Sequence, residues 1–145
     1  MVKLRLGLKP KMLIGFAVVV LILAGGFIFY KNSFVNQDDL NKLVLDTRNI
    51  GDIQGYEAVE DHLLNFLNNR RMSAEYRYQV TYLLAGTYIN MKNFEAALEW
   101  YRKAEENDPQ GLRYNTALGI AQTAEVLGQN SLAIEYYSFI CLIKE

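Results

Sequence analysis

The sequence is poor in the residues that covalent scaffolding and catalysis require. It holds one cysteine in 145 residues, Cys141, which excludes an intramolecular disulfide and a cysteine-based zinc site. Cys141 sits among Phe139, Ile140, Leu142 and Ile143, so a buried, inert thiol is expected there. The one histidine, His62, follows Asp61. Neighbouring helical residues point about 100° apart, so the two form no acid–base pair and His62 reads as a surface residue. Phosphate-loop, dinucleotide and zinc motifs are missing. The pairs Glu95/Glu99 and Glu57/Asp61 share helix faces but lack an accompanying histidine, cysteine or glycine-rich loop, and read as solvated surface. No catalytic, cofactor-binding or metal-ligating residue is therefore expected, no cofactor, and no enzymatic activity.

Charge is missing in blocks. Residues 1–11 carry Lys3, Arg5, Lys9 and Lys11 and no acid, and residues 12–30 carry no charge at all. All 16 acidic residues follow Tyr30, against 11 basic ones, a net of 11 − 16 = −5 for that part. An acidic domain without a basic face excludes nucleic acid as a partner, because phosphate neutralisation dominates such binding. Asn69-Arg70-Arg71 is too short to alter this and reads as a solvated loop.

The uncharged run M-L-I-G-F-A-V-V-V-L-I-L-A-G-G-F-I-F-Y would span about 28 Å as a helix, close to the roughly 30 Å of a bilayer core. It outlasts the apolar part of a cleavable signal peptide, which is about 7–15 residues. The expectation is an uncleaved transmembrane signal anchor at 12–30, a basic cytoplasmic tail at 1–11 and a linker at 31–37. By the positive-inside rule, residues beyond the anchor would face away from the cytoplasm, giving a single-pass cell-membrane protein in contact with the lipid bilayer.

From residue 38 onward the apolar residues recur at helical spacing, and no segment alternates like a strand. Asp38 and Asp39 open a first helix ending near Asn49, with Gly51–Gly55 as a break. A second runs from Tyr56 to about Asn69. A third is capped by Ser73 and runs to Met91, and a fourth, capped by Asn93, ends near Asn107. A fifth spans about Gly111 to Leu127, and a sixth Ser131 to Lys144. Ala97 and Tyr101 recur as Ala133 and Tyr137 36 residues later, and Asn93–Ala97 echoes Gly55–Val59 at a spacing of 38.

Within this pattern Tyr78–Pro109 is the best-formed unit. Leu84, Ala85 and Tyr88 stack on its first helix and Ala97, Tyr101 and Ala104 on its second, with Asp108-Pro109 as the stop. Such alternation of small and large residues resembles a tetratricopeptide repeat, whose usual period is about 34 residues. Thr81 stands where that family usually has tryptophan, and Ala85 where glycine is common. The resemblance implies an all-α fold, an α-α superhelical array of about three helix hairpins over 38–145 with the first degenerate, and a role in binding proteins. It also implies a groove lined by the first helix of each hairpin. Matching positions there are Gln79, Tyr82, Gly86, Ile89 and Asn90, then Asn115, Leu118, Gln122 and Glu125. Tyr82 and Gly86 replace the lysine and asparagine with which chaperone-binding relatives clamp a peptide carboxylate, so that ligand is not implied.

The last helix is apolar almost all round, which either marks an interface or serves packing on the fifth helix and the first pair. Tyr136, Phe139, Ile140 and Ile143 are its candidate contacts, for a second copy of the chain or a membrane-protein complex. The layout resembles membrane-anchored bacterial repeat proteins. It implies a non-enzymatic adaptor in an envelope assembly serving translocation or quality control, pilus or secretion machinery, or cell-wall or division complexes. The alternatives are an organelle-surface receptor subunit facing the cytosol and a dimerising structural membrane protein.

Overall fold

The structure, a computed structural model, describes Val20, residues 34–108 and residues 114–142. The chain divides into two units, Met1–Phe34 and Val35–Glu145, and the second holds all that follows. Its six described helices are α1 (Gln37–Gln54), α2 (Tyr56–Asn69), α3 (Ala74–Asn90), α4 (Phe94–Asn107), α5 (Tyr114–Val126) and α6 (Asn130–Leu142). Each packs chiefly on its neighbours in sequence, giving three hairpins stacked in order.

Helix starts follow local chemistry. Asn36 caps α1 in a capping box: its side chain accepts from the Asp39 amide at 2.9 Å, and Asp39 accepts from the Asn36 amide at 3.1 Å. Asp38 and Asp39 therefore lie inside the first turn, where their charge complements the helix dipole. Ser73 caps α3 and Asn93 caps α4, each accepting from the amide three residues on. The expected break at Gly51 does not occur, and α1 runs on to Gln54. Gly51 faces α2, where an added Cβ would meet Val59 at 3.4 Å, so this glycine serves close helix contact and Gly55, at φ 90°, makes the turn. An amide-to-carbonyl bond from Val35 to Arg71 at 2.8 Å ties the two ends of the first hairpin together.

The α3–α4 and α5–α6 turns place a residue in the left-handed region at equivalent positions, 36 apart: Gly128 at φ 70° and Lys92 at φ 59°. Both close with the same amide-to-carbonyl bonds, Asn93 to Tyr88 at 2.9 Å and Gln129 to Ala124 at 2.8 Å. For lysine the left-handed conformation costs about 1–2 kcal/mol that glycine avoids. Lys92→Gly is accordingly expected to stabilise the domain by about 1 kcal/mol, read as a higher urea midpoint at unchanged m-value.

Two apolar clusters hold the stack. Leu40, Leu43, Val59, Leu63, Val80 and Leu84 join α1, α2 and α3, and Ala85, Leu98, Tyr101 and Ile120 join α3, α4 and α5. The first hairpin thus contributes both of its helices to the core, although its two helices pack on each other less extensively than those of the other hairpins. Four threonines are buried among these residues. Thr81, Thr87 and Thr123 donate to carbonyls four residues back at 2.9, 2.9 and 2.6 Å, and Thr116 donates to the Tyr78 hydroxyl at 3.2 Å, so none is orphaned.

The membrane expectation is corrected. No helix among the described residues is long and apolar enough to cross a membrane. The longest, α1 with 18 residues, carries Asp38, Asp39, Lys42, Asp46, Arg48 and Asp52, and a charge at a bilayer centre costs about 2.5–3.5 kcal/mol or more. Residues 12–30, Val20 apart, lie outside the described residues, as do the tail at 1–11 and residues 31–33 of the linker. Among the described residues, the single-pass, extracytoplasmic placement has no helix to rest on. Cys141 is exposed, not buried, because α6 turns Ala133 and Ile140 inward instead. His62 is likewise not a free surface residue: its Nε2 is buried without a partner beside Asp39, Lys42, Asp46, Phe66 and Arg70.

Candidate protein-binding surface

Among the clefts at the seams between successive hairpins, two are related by the repeat. The first is lined by Thr47, Arg48, Gly51 and Asp52 of α1, Tyr56 and Val59 of α2, and Leu83, Thr87 and Asn90 of α3. Ile89, Phe94 and Tyr101 line the second with Gly119, Gln122, Thr123 and Val126 of α5. Leu83, Thr87 and Asn90 precede Gly119, Thr123 and Val126 by 36 residues, so the clefts are repeat equivalents on the same side of the stack. At ≈ 230 and ≈ 180 Å³ they fall below the roughly 300–1,000 Å³ of small-molecule sites and suit single side chains. Their chemistry differs. Arg48 and Asp52 make the first charged, whereas no ionised side chain lines the second.

Of the expected groove residues, Ile89 and Gln122 meet in the second cleft and Asn90 lines the first. Asn90 donates its amide to the Gly86 carbonyl at 3.0 Å. Gln79 is half-buried and donates to Glu75 at 2.9 Å. Tyr82 is half-buried between Tyr78, 6.1 Å between ring centres, and Tyr101, edge-on at 5.6 Å. Leu118 is half-buried, Asn115 exposed, and Glu125 accepts from the Tyr137 hydroxyl at 2.8 Å. These residues thus divide between the clefts and the packing around them. Arg48, Asp52, Phe94, Thr123 and Val126 were not found from the sequence; the 36-residue displacement of Leu83, Thr87 and Asn90 was the signal that could have marked the last two.

Of the terminal-helix candidates, Tyr136 and Phe139 line one cleft together with Glu105 of α4 and Glu135. Ile140 is buried, and Tyr136 packs inward with its hydroxyl donating to Glu105 of α4 at 2.8 Å. Phe139 is exposed, and Ile143 lies outside the described residues.

Tyr101 ties the second cleft to the core. Its ring packs on Gly119, where an added Cβ would stand 2.6 Å from two ring carbons. Burial pushes its hydroxyl up to about 12, helped by neighbouring Tyr82. Tyr136 is also pushed up to about 12, by burial first and then by its bond to Glu105. A raised folded value means stability is complete below pH 10 and is lost as pH rises from there through 12. Tyr101→Phe keeps the ring and removes the titration, so its unfolding midpoint is expected to fall less than wild type between pH 10 and 12.

Ala85, Ala97 and Ala104 are fully buried between α3 and α4, and Tyr101 closes the hairpin beside them. Residues 78–110 match the tetratricopeptide repeat. The matched segment spans α3 and α4, the best-packed hairpin. No curated protein and no solved structure matches the chain. Tetratricopeptide repeats are typically non-catalytic interaction modules, so the matched hairpin supports a protein–protein interaction role.

Proposed function

We propose that the chain is a non-enzymatic adaptor that holds an extended segment of a partner protein across its two seam clefts. The observation that carries this reading is the repeat equivalence of the clefts, which offers two side-chain sockets at one helix-pair spacing. The two sockets take two side chains of one extended segment running from seam to seam. The uncharged cleft between Ile89 and Val126 takes an apolar side chain, and the cleft with Arg48 and Asp52 a polar or charged one.

A photo-crosslinking amino acid placed at Ile89, and separately at Lys103 on α4 away from the clefts, tests the reading. A partner crosslinked from position 89 and not from 103, and lost when Val126 becomes Asp, is the expected result. Equal capture from both positions would refute it.

A further inference from the structure

The second cleft ends on a hydroxyl that the fold leaves without a partner. Tyr101 is the most buried of the described tyrosines, at 8% exposed. Its hydroxyl makes no hydrogen bond among the described residues. The hydroxyls of Tyr88, Tyr136 and Tyr137, all less buried, donate to Glu60, Glu105 and Glu125. Buried polar groups are ordinarily bonded, so an open one in the lining of a cleft asks for a partner atom from outside.

The repeat shows how this hydroxyl comes to be open. Positions 101 and 119 correspond to 63 and 83 at the first seam, at spacings of 38 and 36. There Leu63 and Leu83 fill the seam with two aliphatic side chains. At the second seam a tyrosine meets a glycine. The ring carbon that bears the hydroxyl stands 2.6 Å from the Cβ position of Gly119, so the hydroxyl reaches the space a side chain at 119 would occupy. That space belongs to the cleft, which Tyr101 and Gly119 both line. Burial, helped by neighbouring Tyr82, pushes the hydroxyl up to about 12, so at neutral pH it keeps its proton and can donate.

Buried Thr123 completes the floor. Its hydroxyl donates to the Gly119 carbonyl at 2.6 Å, which leaves its oxygen as an acceptor. Half-buried Ile89 and Phe94 and exposed Val126 form apolar walls nearer the surface. The floor thus offers a donor and an acceptor, and the walls an apolar, partly aromatic surface. A carboxylate or ammonium tip would be desolvated there with no opposite charge, which costs more than one hydrogen bond returns. An aliphatic side chain fills the walls but leaves the Tyr101 hydroxyl unbonded. A serine hydroxyl answers the floor and leaves the walls bare. An aromatic ring that carries a hydroxyl meets both.

We propose that the second cleft selects a tyrosine of the partner segment, its ring between Ile89, Phe94 and Val126 and its hydroxyl bonded to that of Tyr101. This rests on the adaptor reading and refines it: the apolar side chain in that cleft has a polar tip. The probe is a phage-displayed library of random dodecapeptides selected on the immobilised chain. Enriched peptides are then synthesised with their tyrosine and with phenylalanine in its place, and titrated. The tyrosine forms should lose binding with Val126→Asp. They should weaken about fivefold or more on losing the hydroxyl, as for one buried hydrogen bond. Against Tyr101→Phe the two forms should bind within about twofold of each other, because the hydroxyl they distinguish is gone. That variant keeps the ring on Gly119 and removes an unbonded group, so its urea midpoint at pH 7 should match wild type. Tyr137→Phe, outside the cleft, should leave the preference for tyrosine intact. Peptides that need Val126 but bind equally well with phenylalanine, or keep their preference against Tyr101→Phe, overturn the proposal and leave the adaptor reading standing. No enriched peptide, or none that needs Val126, overturns both.

Discussion

Tyr101→Ala is expected to lower the unfolding free energy by about 3–5 kcal/mol, the range for deleting a buried aromatic ring. The ring is 8% exposed, meets Tyr82 edge-on at 5.6 Å and covers Gly119, so its loss opens a void where α3, α4 and α5 converge. Small domains hold only about 5–15 kcal/mol in total, so such a loss is a large fraction of what the stack has. In an array stabilised by nearest-neighbour contacts the damage is local to one seam. Amide hydrogen exchange should therefore accelerate more in α5 and α6 than in α1 and α2. A urea melt shifted by less than about 1 kcal/mol would show that the ring does not hold this seam.

Gly119→Ala attacks the same contact from the other side. The new methyl would stand 2.6 Å from two carbons of the Tyr101 ring, whose retreat is blocked by Tyr82. Overpacking of this kind costs about 1–3 kcal/mol. Gly86→Ala is the control, a glycine in the interior of α3 with nothing within 4 Å of an added Cβ. There the usual helix preference for alanine applies, and stabilisation of about 0.5–1 kcal/mol is expected. Two identical substitutions, one in α3 and one in α5, thus differ in sign. Combining Gly119→Ala with Tyr101→Leu should recover part of the loss, since the smaller side chain vacates the space that the methyl needs.

The hairpin order was legible because caps and apolar periodicity are local properties. Ser73 and Asn93 cap where their sequence neighbours place them. Gly51 was not legible: a glycine that permits close helix packing and one that ends a helix look alike until Val59 is placed opposite. Cys141 and Ile140 adjoin in an apolar string, and only the docking of α6 on α5 decides that Ile140 turns inward and Cys141 outward. The hydropathy of residues 12–30 pointed to a membrane span, whereas no described helix is of that kind. Of the cleft linings, Ile89, Asn90 and Gln122 were among the groove positions expected from the repeat. Tyr82 was placed in the groove by the same logic, yet contact with Tyr101 draws it into the packing. The lining residues Phe94, Thr123 and Val126 come from two helices, α4 and α5, and periodicity within either helix cannot bring them to Ile89 of α3.

The central claim is that the seam clefts, and not the outer helix faces, bind the partner. The most direct test titrates the partner crosslinked from position 89 against wild type, against Ile89→Asp with Val126→Asp, and against Glu99→Lys on α4. Weakening of tenfold or more for the cleft double variant, with less than twofold for Glu99→Lys, is the predicted result. Unchanged affinity for the cleft variant, or a larger loss for Glu99→Lys, would contradict it.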